Sequence, residues 1–402
     1  MENINILGIN ISSIDKDSLW KKIGGFLSDG GQHYIVTPNP EIILAAQKDE
    51  EFWHILNHAD LALPDGIGLK FAAWALGFNL KRVTGADLTA EILKMAEDQH
   101  RKIAVLNWRK SLSRKEDIEA ILRSKYPKLD FAIEEIDREW SMPFYQNINV
   151  FQPEIIFVAL GAPWQEKFIY GNLPKMPFVK LAVGVGGAFD FLTGRIKRAP
   201  GIVRAAGFEW LWRVFREVGG RRLWRLRRIY DAAVIFPLKF IKWRFIQPFL
   251  YRPSVACLLF KNENGKYRIL LTERKDEPGH WQLPQGGTDG EGVETAGTRE
   301  LSEELNTNKF KPLVTFKNLW KYKFNDKTGK YKTNRHIGYR GQKQSLFIAE
   351  FIGKDGDIKP NYWDHAGWKW VDSEKLVEEA HEVRRKAAKI YLEKFNKTIN
   401  KQ

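Results

Sequence analysis

Cysteine is almost absent from this chain, because its 402 residues include only Cys257. One cysteine excludes an intramolecular disulfide and the paired thiols of a zinc finger, and it is typical of a reducing compartment. The opening MENINILGINISSID lacks the basic start and apolar core of a secretory leader. No apolar run reaches the roughly 18–20 residues that span a bilayer. We therefore expect any membrane contact to be peripheral.

Acidic residues are scarce in one segment of an otherwise ordinary composition. The apolar fraction of 44% and the charged fraction of 28% are those of a folded protein, and the length predicts two or three domains. The net charge is +15, and residues 195–250 hold fourteen Lys/Arg against three acidic residues, a local net charge of +11. This segment predicts an anionic partner.

Short apolar strands alternate with helical patterns through the first 200 or so residues. HYIVTPN, KIAVLNW, EIIFVALG and KLAVGVGG are typical of strands, and GADLTAEILKMAED is typical of a helix. INILGINI is also interpreted as a strand. The alternation predicts an α/β domain with a largely parallel sheet, in which ligands bind beyond the carboxyl ends of the strands.

Two polar residues of this domain follow predicted strands, and a third precedes a predicted helix. Asn39, in Thr37-Pro38-Asn39-Pro40-Glu41, suits a helix cap or a substrate contact at the helix N-terminus. Asp65 lies in a Pro-Asp-Gly turn, where it is suited to local hydrogen bonding or to removing a proton from a hydroxyl. Arg82 precedes a helix and is suited to a carboxylate or a phosphate.

Two glycine-containing motifs come later in the same domain. Gln165 lies in GAPWQE, which ends a strand and begins a helix whose amides can bind an anion. The glycines of GVGGAFD, residues 184–190, do not form GxGxxG and do not follow the first strand. They therefore do not favour a dinucleotide site.

Taken in order, TPNPE, PDG, RVTGADL, GAPWQE, GVGGAFDFLTGRIKRAP and FEWLWR closely resemble the WecG/TagA/CpsF glycosyltransferases over residues 3–230. The resemblance implies a Rossmann-like domain over residues 1–200. It also implies transfer of an N-acetylhexosamine, such as N-acetylmannosamine, from a UDP-sugar to a polyprenyl-diphosphate-linked sugar, for surface polysaccharide or teichoic acid synthesis. The reaction of that family is inverting and uses no metal, so no cofactor is expected for this domain.

The resemblance also assigns residue roles. Asp65 matches the proposed general base and Thr37 the active-site threonine, while Asn39, Arg82 and Gln165 match positions that contact the donor or acceptor. These types suit the chemistry, because a carboxylate can deprotonate the acceptor hydroxyl and arginine can stabilise the departing UDP.

The basic segment is interpreted as an appendage over residues 201–250. Its interleaved tryptophans are compatible with nucleic-acid stacking, with an anionic membrane surface or with a solvated charged face. The resemblance favours the membrane, with arginines that reach the active site and contact the lipid diphosphate. These are Arg213, Arg221, Arg222 and Arg225. The family's usual Glu-Pro is Glu217-Val218 here, which shifts the register of Arg221 and Arg222. The expected location is the cytoplasm, peripheral on the inner face of the membrane.

Residues 251–402 have a different pattern, in which strands surround one acidic helix. Glu300, Glu303 and Glu304 lie at i, i+3 and i+4 and so share one helix face beside Arg299. Three carboxylates in this arrangement predict a bound Mg²⁺ or Mn²⁺ that bridges a diphosphate.

This stretch resembles the Nudix box, which implies an α/β/α sandwich that cleaves nucleotide diphosphate linkages. Gly286, Gly287, Glu291 and Arg299 match box positions, and the metal carboxylates correspond to Glu300, Glu303 and Glu304. GHWQLPQGG and GWKWVD look like the branch that cleaves dinucleoside polyphosphates and RNA 5′ ends. The loop from Gly286 to Glu291 is one residue short, and the glycine after the Glu pair is replaced by Asn306, which tolerates the left-handed conformation.

Three hypotheses follow. The first is a bifunctional enzyme with transferase and Nudix hydrolase activities, and the second is a transferase regulated by a degenerate, nucleotide-sensing Nudix module. The third is a nucleic-acid-binding protein, which predicts salt-dependent binding by residues 195–250. No nucleic acid is expected beyond RNA 5′ ends or dinucleotides at the Nudix site, and the resemblance leaves an assembly of identical subunits open.

Overall fold

The computed structural model describes residues 2–138, 144–197, 199–200, 226–324 and 338–400. The chain divides into two compact units, Met1–Lys242 and Trp243–Gln402. This division falls inside the predicted appendage, and the predicted domain limits at residues 200 and 250 stay predictions. The predicted diphosphate ligands Arg213, Arg221, Arg222 and Arg225 lie outside the described residues.

The N-terminal unit is built on a six-stranded, fully parallel sheet with the order β4-β3-β8-β7-β5-β6. The predicted α/β class is therefore confirmed. Two strands precede this sheet and form a separate pair, β1 Glu2–Ile6 and β2 Ile9–Ser13. The six strands of the sheet are β3 His33–Val36, β4 Leu61–Ala62, β5 Ile103–Trp108, β6 Phe131–Ile136, β7 Ile155–Ala159 and β8 Leu181–Gly184.

Two features of this unit differ from the sequence interpretation. INILGINI is not one strand but a hairpin, in which Leu7 and Gly8 have positive φ and β1 pairs antiparallel with β2. The edge strand β6 was not predicted, because its half-exposed pattern and two glutamates do not resemble a buried strand.

Nine described helices surround this sheet. They are α1 Lys16–Phe26, α2 Pro40–Ala46, α3 Glu50–Asn57, α4 Ile67–Ala75, α5 Gly85–Asp98, α6 Lys115–Lys125, α7 Phe144–Phe151, α8 Trp164–Asn172 and α9 Ala188–Leu192. The predicted helix GADLTAEILKMAED is α5. Its Leu88 and Ile92 are buried in the main core with Val105 of β5 and Phe157 of β7. Since each helix of a parallel unit runs back against the strands, its N-terminus lies at the carboxyl edge.

From residue 226 onward the basic segment is helical. It is helical over 226–230, continues as a π-helix over Asp231–Ile235 and becomes α10 over Phe236–Ile241. Phe236 is buried, and a Cβ placed on Gly68 of α4 would lie 3.8 Å from its ring, so α10 packs closely on α4. Arg228 forms an ion pair with Glu41 in the first turn of α2. Among the described helices, none is long and apolar enough to cross a membrane.

The C-terminal unit is a mixed sheet between two helices, as the predicted α/β/α sandwich requires. The sheet has the order β11-β10-β9-β14-β13, with β12 paired to β9 and β15 paired to β10. Its strands are β9 Tyr251–Glu263, β10 Lys266–Arg274, β11 Trp281–Gln282, β12 Gln285–Gly287, β13 Phe310–Lys323, β14 Gly341–Phe351 and β15 His365–Asp372. Its helices are α11 Val293–Leu305, α12 Leu376–Glu379 and α13 Arg385–Ile399.

The two faces of this sheet have separate cores. Leu301 and Leu305 of α11 pack with Phe347 on one face, and Tyr391 and Phe395 of α13 are buried on the other. Gly297 lets α11 approach closely, because a Cβ there would meet Phe347 at 2.4 Å. On the same face the buried Cys257 donates to the Gly297 carbonyl at 3.6 Å.

The start of α8 fixes two loops of the N-terminal sheet. The Gln165 side-chain oxygen accepts from the amides of Gly161, at 3.1 Å, and Gly186, at 2.9 Å. Its Nε2 donates to Glu166 at 2.8 Å. Glu166 is fully buried, and burial raises its pKa to about 7 although the bond from Gln165 opposes the shift. The loops after β7 and β8 are therefore joined through one side-chain amide, which is in turn hydrogen-bonded to a buried acid whose pKa lies near neutral pH.

Substituting Glu166 by Gln is expected to stabilise the protein more at pH 8 than at pH 5. The folded pKa lies above the ordinary value of 4.5, so the stability from the neutral acid is complete below that value and is lost as the pH rises through 7. At 1.36 kcal/mol per pKa unit, wild type loses about 2–3 kcal/mol between pH 5 and pH 8, whereas the variant does not.

Thermal unfolding of the full chain at both pH values measures this effect. The Tm difference between Glu166→Gln and wild type should increase by several degrees at pH 8, and Glu116→Gln, at an exposed position of α6, is the matched control. An equal difference at both pH values would contradict the assignment.

Candidate functional site

The predicted transferase residues gather at the carboxyl edge of the parallel sheet. Thr37 follows β3, and its hydroxyl donates to the carbonyl of Gly184 at the end of β8, at 3.3 Å. A Cβ placed on Gly85, at the start of α5, would lie 3.6 Å from the Thr37 hydroxyl. Thr37 is largely buried, so it lies at the base of the edge where three segments of the chain meet.

Backbone hydrogen bonds place Asp65 beside this point. The amide of Leu63 donates to Val36 at 2.9 Å, and the amide of Asp65 donates to Pro38 at 2.8 Å. Gly66 then has a φ of 103°, which favours glycine, and α4 begins at Ile67. The half-buried carboxylate therefore lies on a turn whose backbone is bound to the Thr37 loop.

Arg82 reaches the same edge through the next loop. The amide of Val83 donates to the carbonyl of Pro64 at 3.0 Å, which joins this loop to the Asp65 turn. Thr84 then caps α5 by accepting from the amide of Asp87 at 3.1 Å. Arg82, which is half-buried, directly precedes Val83. The hydrogen bond from Val83 to Pro64 therefore keeps the backbone of Arg82 close to the turn that carries Asp65.

Asn39 and Gln165 have structural duties that the sequence only partly indicated. The Asn39 side chain accepts from the amide of Ile42 at 2.9 Å, so the predicted cap of α2 is confirmed, with Pro40 at the first position. Gln165 is buried and joins the loops of Gly161 and Gly186, as described above. A direct substrate contact by either side chain stays a prediction.

A further cation at this edge was not predicted. The Arg138 guanidinium lies 3.7 Å from the ring centre of Trp108 and 4.2 Å from that of Trp164. Its Nε donates to the Leu160 carbonyl at 2.8 Å, and burial lowers its pKa. Arg138 follows the unpredicted strand β6, which explains the omission. The two tryptophans, Trp108 at the end of β5 and Trp164 at the start of α8, were the available signal.

In the C-terminal unit, Arg299 is the centre of the predicted Nudix residues. Its Nε donates to Glu291 at 3.0 Å, and its Nη1 donates to Glu300 at 2.9 Å and to Glu303 at 3.1 Å. Its Nη2 donates to the Gly287 carbonyl at 2.8 Å. Four of the predicted Nudix residues therefore contact a single guanidinium.

The three predicted metal carboxylates differ in exposure. Glu300 and Glu304 are buried, whereas the Glu303 side chain is 46% exposed. Burial, followed by repulsion from Glu304, raises the pKa of Glu300 to about 8, and burial also raises the pKa of Glu304. Within the described residues, the second carboxylate oxygen of Glu300 has no hydrogen-bond partner. Two buried carboxylates that repel each other are suited to a divalent cation.

Two positions of the box are explained by their local backbone geometry. A Cβ placed on Gly286 would lie 1.8 Å from Glu300, so only glycine fits there, even with the loop one residue short. Asn306 ends α11 with φ 49° and ψ 39°, the left-handed conformation expected of it. Glycine is therefore not required at position 306.

His365 of β15 is a neighbour of this cluster that sequence reasoning missed. Its Nε2 lies 3.1 Å from a Glu304 oxygen, and both side chains are buried. Burial opposes the charged imidazolium, but the Glu304 charge outweighs this effect and raises the pKa of His365. The residue lies far from the box in sequence and carries no motif, so no local signal pointed to it.

Comparisons with known proteins agree with both units. Residues 4–248 match the Glycosyl transferase WecG/TagA/CpsF family, and residues 250–393 match the NUDIX domain. An N-acetylglucosaminyldiphosphoundecaprenol N-acetyl-beta-D-mannosaminyltransferase of Bacillus subtilis (strain 168) is 29% identical over 288 residues, covering 69% of this chain and 96% of that protein. The enzyme of that name from Staphylococcus aureus (strain MRSA252) is 30% identical over 231 residues, covering 56% of this chain and 89% of that protein.

Solved structures similar to this chain include two hydrolases. A C. elegans Ap4A hydrolase in a binary complex has a TM-score of 0.29 at 20% identity and covers 38% of this chain and 99% of its own. The E. coli dihydroneopterin triphosphate pyrophosphohydrolase has a TM-score of 0.28 at 20% identity and the same coverage. The family match extends over more than half of the 402 residues. The chain therefore belongs to the WecG/TagA/CpsF glycosyl transferase family, and a NUDIX domain follows its transferase region.

Proposed function

We propose that the N-terminal unit transfers an N-acetylmannosamine-like sugar from a UDP-sugar to a polyprenyl-diphosphate-linked sugar at the inner face of the cell membrane. The observation that carries this proposal is the backbone frame that holds Thr37, Asp65 and Arg82 at one edge of the sheet. The names of the relatives support the sugar and the lipid-linked acceptor. The helices that begin at this edge turn their amides toward it, which suits an anionic donor.

In this proposal Asp65 is the general base. It takes the proton from the acceptor hydroxyl as that oxygen bonds to the anomeric carbon of the donor, while the bond from that carbon to UDP breaks. UDP leaves with the electron pair, and attack opposite to it inverts the anomeric centre. Arg82 stabilises the charge that develops on the diphosphate. The arginines at 213, 221, 222 and 225 are proposed to hold the lipid diphosphate.

We further propose that the NUDIX domain hydrolyses a nucleoside diphosphate linkage. The oxygen of a water molecule bonds to one phosphorus as the bridging P–O bond breaks; the departing phosphate keeps the electron pair, and the proton of the water passes to solvent. NUDIX domains generally use a divalent cation, and the buried pair Glu300 and Glu304, with Glu303 at the rim, fits Mg²⁺ or Mn²⁺ as the ligand set. When bound, the cation supplies charge neutralisation at the diphosphate. Arg299 holds Glu300 and Glu303 in place, the Gln285 amide and His365 contact Glu304, and Gly286 leaves room for Glu300.

Asp65→Asn is expected to lower kcat for sugar transfer by about 100–10,000-fold, the usual contribution of a general base. Transfer is measured from UDP-N-acetylmannosamine to a lipid-linked N-acetylglucosamine acceptor. Asp98→Asn, at the exposed end of α5, is the control that keeps wild-type transfer. Unchanged transfer by Asp65→Asn would remove this residue from the role of base.

Glu304→Gln is expected to reduce hydrolysis of a panel of diadenosine polyphosphates and nucleotide sugars by more than about tenfold, the smallest loss usual for groups around a metal. Chelation of divalent cations should abolish the same activity, and Glu294→Gln, exposed on the first turn of α11, should not affect it. Hydrolysis that is absent in wild type, together with nucleotide binding that alters transfer, would favour the regulatory module instead.

A further inference from the structure

Helix α4 presents two large aromatic side chains to solvent next to the proposed base. Phe71 is 63% exposed and Trp74 is 75% exposed. The two residues are three positions apart, so they lie on the same helix face. Because exposing such surface to water is unfavourable, adjacent exposed aromatics commonly mark a binding surface.

The two aromatics are part of the wall of a cavity of about 500 Å³. Ile67, Phe78 and Leu80 contribute apolar surface to the same cavity, and Lys70 contributes a cation. Within the described structure, no acidic residue belongs to its lining. A concave apolar surface with one positive charge suits an amphiphile that has an anionic head and a hydrocarbon chain.

The position of this cavity matches the order of groups along a lipid-linked acceptor. Ile67, the first residue of α4, is two residues after Asp65. At a rise of about 1.5 Å per residue, Trp74 lies about 10 Å further along the helix. An acceptor with its sugar hydroxyl at Asp65 has its diphosphate beyond the sugar and its hydrocarbon chain beyond the diphosphate. Asp65, Lys70 and Trp74 occur in that order.

We infer that this cavity binds the first isoprene units of the polyprenyl chain of the acceptor, with Lys70 near its diphosphate. The inference rests on the proposed transferase function and adds to it a subsite that selects the acceptor by its hydrocarbon chain. Concavity favours a chain over a flat bilayer surface. The positive charge disfavours a second copy of this face, because a two-fold contact places two Lys70 residues in one interface.

The test compares two acceptors that carry the same sugar diphosphate. One has a short, water-soluble alkyl chain, and the other has a long polyprenyl chain in detergent micelles. With the full-length double variant Phe71→Ser/Trp74→Ser, kcat/KM for the long-chain acceptor is expected to fall by about tenfold or more, since each buried aromatic contributes about that factor. For the short-chain acceptor kcat/KM should stay at the wild-type value.

Two further variants make the result specific. Trp74→Leu keeps an apolar wall and should retain most of the activity on the long-chain acceptor. Phe178→Ser removes an exposed aromatic just before β8, at the opposite edge of the sheet, and should change neither rate. Thermal unfolding of each variant confirms that the fold is intact.

Several outcomes would overturn the inference. Equal losses of kcat/KM on both acceptors, or no loss on either, would show that the cavity does not bind the hydrocarbon chain of the acceptor. Loss of binding to anionic phospholipid vesicles without acceptor would assign the face to the bilayer, and conversion of a dimer to a monomer would assign it to a second copy. If wild type uses neither acceptor, the proposed transferase function fails as well, which separates that failure from failure of the subsite alone.

Discussion

The arrangement of the candidate transferase residues at the carboxyl edge of the parallel sheet depends on one contact, the hydrogen bond from the Asp65 amide to the Pro38 carbonyl. It joins the loop after β3 to the loop after β4, and the Val83 amide adds the next loop through Pro64. The three candidate side chains therefore lie on a single backbone frame. These backbone hydrogen bonds fix where the three Cα atoms lie, so the chain itself sets the points from which the candidate side chains project.

The candidate site of the C-terminal unit is acidic, because it places the carboxylates of Glu300 and Glu304 where they are buried from water. Burying Glu300 next to Glu304 is unfavourable for both ionised groups, as their raised pKa values indicate. Arg299 offsets part of this cost by contacting Glu300, Glu303 and Glu291 together. A cluster that is costly without a counter-charge and stable with one is typical of a site for a divalent cation.

Much of the architecture was predictable from the sequence, since buried parallel strands and the amphipathic helix α5 carry strong periodic patterns. The hairpin at the N-terminus and strand β6 were not. The hairpin depends on a two-residue turn at Leu7 and Gly8 that the apolar run conceals, and β6 is exposed on one side as an edge strand.

The site followed the same rule. Residues within local motifs, such as Asp65 and Glu304, could be named as candidates because a Pro-Asp-Gly turn and a helical spacing of carboxylates mark them, and their catalytic and metal-binding roles stay predictions. Arg138 and His365 were missed because their partners lie far away in the sequence, and the burial of Glu166 needed the folded structure to be seen. Gln165 was identified, but its hydrogen bonds to Gly161 and Gly186 needed the folded loops to be seen.

The buried thiol of Cys257 has a practical consequence. Burial raises its pKa well above the ordinary range, and the charges of Glu300 and Glu304 act in the same direction. The reactive thiolate is therefore scarce, and thiol-specific reagents lack access to the side chain. Since it is the only cysteine in the chain, the native protein provides a silent background for labelling. A single cysteine introduced at an exposed position, such as 71 on α4, can then carry a fluorophore or spin label that reports on that position alone.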